Sequence, residues 1–280
     1  MTTPNALPSS TRVGRVALRA NDPDGLAEFY RDVIGLDPMG REEGRTTLGT
    51  GGTPLLELLA DPDAPAREPG ETGLFHTAFR VPTRTALGDA LGRIRERWSL
   101  DGASDHRVSE ALYLTDPEGN GVEVYRDRPR EEWPVEDGRV AMDTLPLDLD
   151  GLAERRRGAA GVPEGTTVGH VHLEVSSLPR AREFYVDGLG LGVRQEMSDA
   201  ALFLAAGDYH HHVGLNVWNG RTSPASGRGL AWFELCVPDR ETLAAVRERV
   251  GAGDAGSETD SLTLADPDGI ELRVRVEDAC

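Results

Sequence analysis

An internal repeat is the feature that most constrains how this chain can fold. The segment GRVALRA (residues 14–20) recurs 155 residues later as GHVHLEV (residues 169–175), and the motifs EFY and GL follow both copies at the same spacing. A second pair of segments, beginning at His76 and Trp232, matches 156 residues apart. Self-similarity at a fixed spacing is typical of repeated supersecondary units. We therefore expect two tandem halves, each built from two modules.

Each module begins with alternating apolar residues, which predict a strand, and continues with a helical periodicity such as Leu26, Phe29, Tyr30 and Val33. Short strands separated by glycine turns follow. The predicted order is one strand, one helix and three strands, four times over, which is an α+β fold. The predicted units are an N-terminal half (residues 1–126, modules at about 12–60 and 72–126), a connector (127–167) and a C-terminal half (168–280, modules at about 168–218 and 228–276).

Charge and composition exclude several classes of protein. The net charge is −18 and the chain has no lysine, so all 30 basic residues are arginine. Nucleic-acid binding is not expected, because a phosphate backbone would be repelled. The chain has no apolar run long enough to span a membrane and does not begin with a secretion signal, which predicts a cytoplasmic protein without membrane contact. Acidic excess with arginine in place of lysine is typical of halophilic proteins, although a high-GC genome also favours arginine.

All seven histidines fall in the second and third modules or between them, from His76 to His212. Histidine is the commonest metal ligand and titrates near neutral pH, so this clustering predicts metal binding, proton transfer or both. The run at residues 210–212 has a plainer explanation, as a surface metal-binding tract. Because Val213, Leu215 and Val217 continue it as a buried strand pattern, we favour a place inside the fold.

Three segments carry a resemblance to a known family: GHVHLEV (169–175), YHHHVGLN (209–216) and SEALYLTDPEGNGVEVY (109–125). With them the chain resembles the vicinal oxygen chelate superfamily, and most of all its extradiol catechol 2,3-dioxygenases. The resemblance implies that paired modules curl into half barrels, each a cup around a divalent metal. It also implies a metal bound by two first-strand histidines and one last-strand glutamate.

Only two modules offer such a ligand set. The first-strand position is occupied, in chain order, by Arg15, His76, His170 and Trp232. The last-strand position holds Glu123 in module two and Gly214 in module three, while module one offers Glu57 less clearly and the shorter module four offers Glu271 two residues early. The resemblance thus implies Fe(II), or Mn(II), held by His76, His170 and Glu123. We infer that modules two and three share the active half barrel and that modules one and four form an inert one.

The resemblance also implies residues around the metal. Tyr113 lies ten residues before Glu123, where these dioxygenases keep a tyrosine, and His106 matches a further histidine less well. Strand alternation would send His210 and His212 to one face and His211 to the other. By resemblance, His212 is the catalytic proton shuttle. Whether His172 or His210 contributes to the site stays open, since His172 shares a face with His170.

The implied function is extradiol cleavage of catechol, or a substituted catechol, by O2 to a 2-hydroxymuconic semialdehyde. The expected partners are a small aromatic diol and O2, and a homo-oligomer is left open. One alternative is a metal-dependent lyase or isomerase of the glyoxalase kind, which usually needs a second glutamate where Gly214 stands. Another is a non-catalytic small-ligand-binding protein, which would lack the metal ligands.

Overall fold

The computed structural model describes residues 6–136, 139–252 and 260–277. Its strands are β1 (Arg12–Ala20), β2 (Asp37–Glu42), β3 (Arg45–Thr50), β4 (Thr53–Ala60), β5 (Gly73–Arg80), β6 (Gly102–Asp105), β7 (Ser109–Thr115), β8 (Gly121–Asp127), β9 (Val135–Glu136), β10 (Arg139–Val140), β11 (Leu145–Pro146), β12 (Thr167–Glu174), β13 (Gly192–Met197), β14 (Ala201–Ala205), β15 (Val213–Asn216), β16 (Gly229–Val237), β17 (Ser261–Ala265) and β18 (Glu271–Val276). The α-helices are α1 (Pro23–Phe29), α2 (Arg84–Arg97), α3 (Leu149–Ala153), α4 (Leu178–Arg182) and α5 (Arg240–Arg249).

Two large sheets contain most of these strands. The first sheet has the strand order β17-β18-β16-β1-β4-β3-β2 and so combines modules one and four. The second has the order β11-β6-β7-β8-β5-β12-β15-β14-β13 and combines modules two and three. At each centre the two first strands pair antiparallel, β1 with β16 and β5 with β12. The predicted α+β fold with two paired half-barrel sheets is confirmed.

The order of elements follows the prediction in modules one to three, whereas part of module four lies outside the described residues. Modules one, two and three each show a strand, a helix and three strands. Module four shows β16, α5, β17 and β18, and residues 253–259, between α5 and β17, lie outside the described residues. The half boundaries predicted from the repeat stay a prediction.

The repeated EFY and Asp-Pro motifs meet across neighbouring modules. The buried hydroxyl of Tyr30 in module one donates to Asp116 in module two over 3.0 Å. In the second half Tyr185 donates to Asp266 over the same 3.0 Å. In both halves the tyrosine lies in a π-helical turn that continues the first helix of its module. The repeat therefore preserves a buried hydrogen bond that ties each odd module to the next one.

The predicted connector contains structure of its own. The short strand β11 pairs with β6 and extends the second sheet by one strand. Helix α3 packs against α2 and buries Leu152, while Trp133 packs against the ring of Tyr209. Within the described residues, no helix combines the length and apolar character needed to cross a membrane.

Candidate metal centre

Strand register brings one row of side chains across the second sheet. On β12, His170 lies opposite Ala78 of the antiparallel β5. Ala78 in turn lies beside Glu123 of the parallel β8, and Glu123 lies opposite Tyr113 of β7. Register partners project to the same face of a sheet. The side chains of His170, Glu123 and Tyr113 therefore share one face, with the small Ala78 between them.

A second row lies two residues away on the same face. His76 precedes Ala78 by two positions, so strand alternation gives it the same direction, and it lies opposite His172. Glycines flank this pair, Gly121 beside His76 and Gly214 beside His172. A Cβ on Gly214 would stand 2.9 Å from the ring of His172. The glycine at the place of a second glutamate thus makes room for an imidazole.

Three side chains from these rows converge. The Nε2 atom of His76 lies 3.0 Å from Oε2 of Glu123, and Nε2 of His170 lies 3.1 Å from the same oxygen. The two Nε2 atoms are 3.4 Å apart. All three residues are buried, at 6%, 2% and 2% relative exposure for His76, His170 and Glu123. In the described ranges this is the one group of three or more ligating side chains whose donor atoms lie within 4.8 Å of one another.

The geometry of this group fits a divalent metal ion. Bonds of about 2.1 Å at right angles separate neighbouring ligand atoms by about 3.0 Å, close to the separations found here. Burial alone would raise the pKa of Glu123, but hydrogen bonding and the charges of His170 and His76 hold that pKa well below its usual range. Burial lowers the pKa of His170 to about 4. A carboxylate and a neutral imidazole are the protonation states that ligate a metal.

Tyr113 and His106 form a hydrogen-bonded pair beside the three ligand candidates. The Nδ1 atom of His106 donates to the carbonyl oxygen of Asp143 over 2.7 Å, which leaves Nε2 as the acceptor in a neutral ring. The Tyr113 hydroxyl donates to that Nε2 over 2.6 Å. Burial, followed by the charge of Glu123, raises the pKa of Tyr113 well above its usual value, so the hydroxyl keeps its proton.

The histidine run departs from regular strand geometry, and His212, the predicted proton shuttle, does not line the cavity. β15 begins only at Val213, so strand alternation does not extend back through residues 210–212. His212 turns away from the cavity, where its Nδ1 accepts from the backbone N–H of Ala206 over 3.2 Å. His211 lines the cavity instead, and its ring centroid is 4.1 Å from that of His170. The bend before β15 determines that His211, and not His212, faces the cavity, and the sequence pattern does not reveal this bend.

The two histidines whose contribution was left open have different surroundings. His172 lines the cavity and contacts the rings of Phe75, Phe203 and Trp218. His210 is fully buried and does not line the cavity; its Nε2 lies 2.9 Å from Oδ1 of Asp127. Neither aromatic packing around His172 nor the Asp127 contact was foreseen from the sequence.

The converging side chains form part of the wall of a large cavity. Its volume is about 680 Å³, within the range of sites for drug-sized ligands. Its lining includes polar side chains such as Ser104, Thr144 and Gln195 and apolar ones such as Phe75 and Trp218. The cavity is therefore large enough for an aromatic ring that carries substituents.

In the first sheet, the corresponding positions hold an ion-pair network. Arg15, which matches His170 in the repeat, donates to Glu57 over 2.6 Å and to Glu234 over 2.7 Å. Trp232, which matches His76, is stacked by the guanidinium of Arg273 at 4.0 Å from the ring centroid. In the first sheet, the guanidinium of Arg15 therefore occupies the position that corresponds to the three ligand candidates of the second sheet.

Comparison with known proteins agrees with the fold and the motifs. The family model for the glyoxalase/bleomycin resistance protein/dioxygenase superfamily matches residues 12–124. Catechol-2,3-dioxygenase of Bacillus subtilis (strain 168) is 38% identical over 268 residues, which cover 92% of this chain and 94% of that protein. Biphenyl-2,3-diol 1,2-dioxygenase 3 of Rhodococcus globerulus is 30% identical over 161 residues, 55% of this chain and 85% of that protein.

A solved structure from Bacillus subtilis subsp. subtilis str. 168 shares the fold at a TM-score of 0.66, with 14% identity over 97% of this chain and 86% of that one. At this identity the likeness concerns the fold alone. The family model and the curated relative that matches nearly the whole length lead to one conclusion. The chain belongs to the glyoxalase/bleomycin resistance protein/dioxygenase superfamily.

Proposed function

We propose that this protein is an extradiol dioxygenase, which cleaves catechol or a substituted catechol with O2 to a 2-hydroxymuconic semialdehyde. The observation that carries the proposal is the buried convergence of His76, His170 and Glu123 at the wall of a cavity of about 680 Å³. Two histidines and one carboxylate are the facial ligand set of non-haem Fe(II) oxygenases. The names of the two curated relatives, which specify aromatic diols, support the same class of substrate.

We propose His76, His170 and Glu123 as the ligands of Fe(II), with Mn(II) as the second candidate because the same donor set suits both. When bound, such an ion acts as a Lewis acid that lowers the pKa of the catechol hydroxyls and leaves positions open for both reactants. Their burial leaves the three side chains little contact with bulk solvent. The register of three adjacent strands holds them in place without the need for loop movement.

His211 is the proposed proton carrier, in place of His212. Burial lowers the pKa of His211 well below its usual value, so its ring is neutral and offers a lone pair. It can accept a proton from a substrate hydroxyl and return that proton to a departing oxygen. Tyr113, hydrogen-bonded to His106, is proposed to turn its hydroxyl toward negative charge that develops on the substrate.

The alternative of a glyoxalase-type lyase or isomerase is less well supported. That chemistry usually uses a second glutamate as a metal ligand and base. The corresponding position is Gly214, and the ring of His172 fills the space above it. A side chain at this position would collide with the imidazole.

The test is anaerobic reconstitution with Fe(II), followed by addition of catechol and air-saturated buffer while the yellow ring-cleavage product is monitored. It is performed with and without molar KCl, because salt screens the mutual repulsion within a chain of net charge −18. We expect His76→Ala and His170→Ala to lose bound iron and colour together. His212→Gln, which keeps an acceptor for the Ala206 N–H, is the matched control and should retain both.

Bound iron without any colour from a panel of catechols would refute the ring-cleavage proposal. Stoichiometric iron that survives the loss of either histidine would refute the ligand assignment. Retention of product formation in His211→Ala, at the wild-type rate, would refute the proton-carrier role.

A further inference from the structure

A chain of three side chains extends from the cavity into the protein behind His211. The Nδ1 atom of His211 lies 2.8 Å from Nδ1 of His210, and Nε2 of His210 lies 2.9 Å from Oδ1 of Asp127. On the cavity side, Nε2 of His211 has no hydrogen-bond partner among the described residues. Asp127 is the last residue of β8, the strand that carries Glu123.

The carboxylate at the inner end of this chain is ionised. Burial alone would raise the pKa of Asp127, but the hydrogen bond from His210 and the charge of Arg80 hold it below its usual value. Arg80 donates to the other oxygen, Oδ2, over 3.3 Å. The carboxylate of Asp127 thus has Arg80 as a cationic partner on one oxygen and a ring nitrogen of His210 on the other.

Hydrogen-bonding rules then determine the tautomers along the chain. An ionised carboxylate only accepts, so His210 must carry its proton on Nε2. A neutral imidazole has one N–H, which makes Nδ1 of His210 an acceptor, and His211 must donate from its own Nδ1. The remaining nitrogen, Nε2 of His211, is left as an unprotonated lone pair at the cavity.

The surroundings of His210 prevent its ring from turning over. Its relative exposure is 0%. The ring packs 4.1 Å from that of Tyr209 and 5.3 Å from that of Trp133, with Tyr125 on a further side at 6.0 Å. A ring fixed in this way transmits the preference of Asp127 to His211.

We propose that Asp127 and His210 are positioning residues, which fix His211 in the tautomer whose Nε2 accepts a proton from the substrate. The proposal rests on the proposed function, because it assigns the two residues to the proton step of the same site. It extends the site past the residues that touch the cavity. Neither residue lines the cavity, so each acts only through His211.

The variant Asp127→Asn distinguishes this role from simple packing. An amide has one oxygen and one NH2 group, and Arg80 requires the oxygen on its side. The NH2 group then faces His210 and donates to Nε2, which moves the His210 proton to Nδ1 and the His211 proton to Nε2. The shape of the site is preserved while the lone pair at the cavity is lost. Tyr209→Phe is the matched control, because it removes another hydrogen bond to Asp127 and leaves the chain of tautomers intact.

The first measurement is a two-bond 1H–15N correlation spectrum of histidine rings in the metal-free protein, with His210→Gln and His211→Gln to assign the signals. We expect an unprotonated Nε2 for His211 in the wild type and in Tyr209→Phe, and a protonated Nε2 in Asp127→Asn. A protonated Nε2 in the wild type, or an unchanged tautomer in Asp127→Asn, would overturn the proposal. This readout does not depend on which substrate the enzyme uses.

The second measurement applies to the iron-loaded enzyme with catechol. We expect Asp127→Asn to lower kcat about 100-fold, while KM and iron content stay close to the wild type. Tyr209→Phe should change kcat less than threefold. A wild-type kcat in Asp127→Asn with an inverted tautomer would overturn the catalytic part. A wild type that binds iron but cleaves no diol would count against the proposed function and leave the spectroscopic result to decide the tautomer chain.

Discussion

Replacement of Arg15 by methionine tests whether a protein cation is essential in the first sheet. The Arg15 side chain is 19% exposed, whereas Glu57 and Glu234, which it bridges, are 3% and 0% exposed. Arg15 also donates through its backbone N–H and Nε to Glu234, over 3.1 and 2.9 Å. Methionine keeps the length of the side chain and removes the charge, so two buried carboxylates lose their shared partner.

The expected loss follows from what remains around each carboxylate. Removal of one partner of a buried ion pair costs about 3–5 kcal/mol. Glu234 keeps a contact with Arg275 at 2.9 Å, while Glu57 keeps the half-exposed Arg45 at the longer distance of 3.6 Å. These remaining contacts place the expected destabilisation of Arg15→Met near the lower end, about 3 kcal/mol in the free energy of unfolding at neutral pH.

The loss should shrink as the pH falls. Burial alone would raise the pKa of Glu234, but the hydrogen bond from Arg15 and that from Arg275 hold it below its usual value. A carboxyl whose pKa is lowered by folding stabilises the protein above its unfolded pKa, and this contribution disappears as pH falls. Since the variant lacks part of that contribution, the gap between the two proteins should be smaller at pH 3.5, which is below the usual glutamate pKa of about 4.3, than at pH 7.5.

Guanidinium denaturation at both pH values measures the effect, with Arg15→Met/Glu57→Leu/Glu234→Leu as the second variant. We expect the triple variant to recover most of the lost stability, because apolar side chains can replace a buried ion pair without loss. A cost below about 1 kcal/mol for Arg15→Met at pH 7.5, or a gap that grows on acidification, would refute this reasoning. Iron binding by the second sheet should be unaffected in folded protein.

Three further predictions concern the second sheet. Burial lowers the pKa of His170 to about 4 and that of His212 to about 3, from 6.5, so both rings bind fewer protons in the folded state than in the unfolded state. The metal-free protein should therefore lose stability as the pH falls below about 6.5, by up to about 1.4 kcal/mol per pH unit for each ring. A denaturation midpoint that stays constant between pH 7 and pH 5 would contradict this. Gly169→Ala would place a Cβ 1.8 Å from the hydroxyl of Tyr125, and thermal denaturation should show a cost of about 1–3 kcal/mol that adding Tyr125→Phe partly relieves. Tyr113→Phe should keep iron binding and lower kcat about 100-fold in the catechol assay, and an unchanged kcat would exclude its proposed role.

Much of the architecture could be predicted from the sequence because the repeat and strand alternation are local signals. Offsets between matching segments predicted four modules, and the histidines indicated which two modules belong together. Strand alternation also predicted correctly that His172 faces the same way as His170, as their places along the cavity show. The roles of His76, His170 and Glu123 as metal ligands stay predictions, although the structure brings the three together.

The remainder depends on contacts between residues distant in sequence or on departures from regular strands. His211 rather than His212 lines the cavity, because the chain bends before β15 and period-two geometry does not apply to residues 210–212. The pairing of Arg15 with Glu234 joins residues 219 positions apart, and no local pattern indicates it. Similarly, Asp127 and His210 meet across 83 positions.

The two sheets differ in how the charge of their buried carboxylates is compensated. Each brings carboxylate or imidazole groups to the buried junction of its two central strands, where unpaired charge is costly. In the first sheet the compensating cation is Arg15, which is part of the chain and therefore always present. In the second sheet Glu123 has two histidines as neighbours, and histidine, unlike arginine, is not a permanent cation, so its charge is best compensated by an added cation. The first sheet is therefore expected to fold independently of metal supply and to support the second, whose stability should rise with the concentration of the ion that it binds.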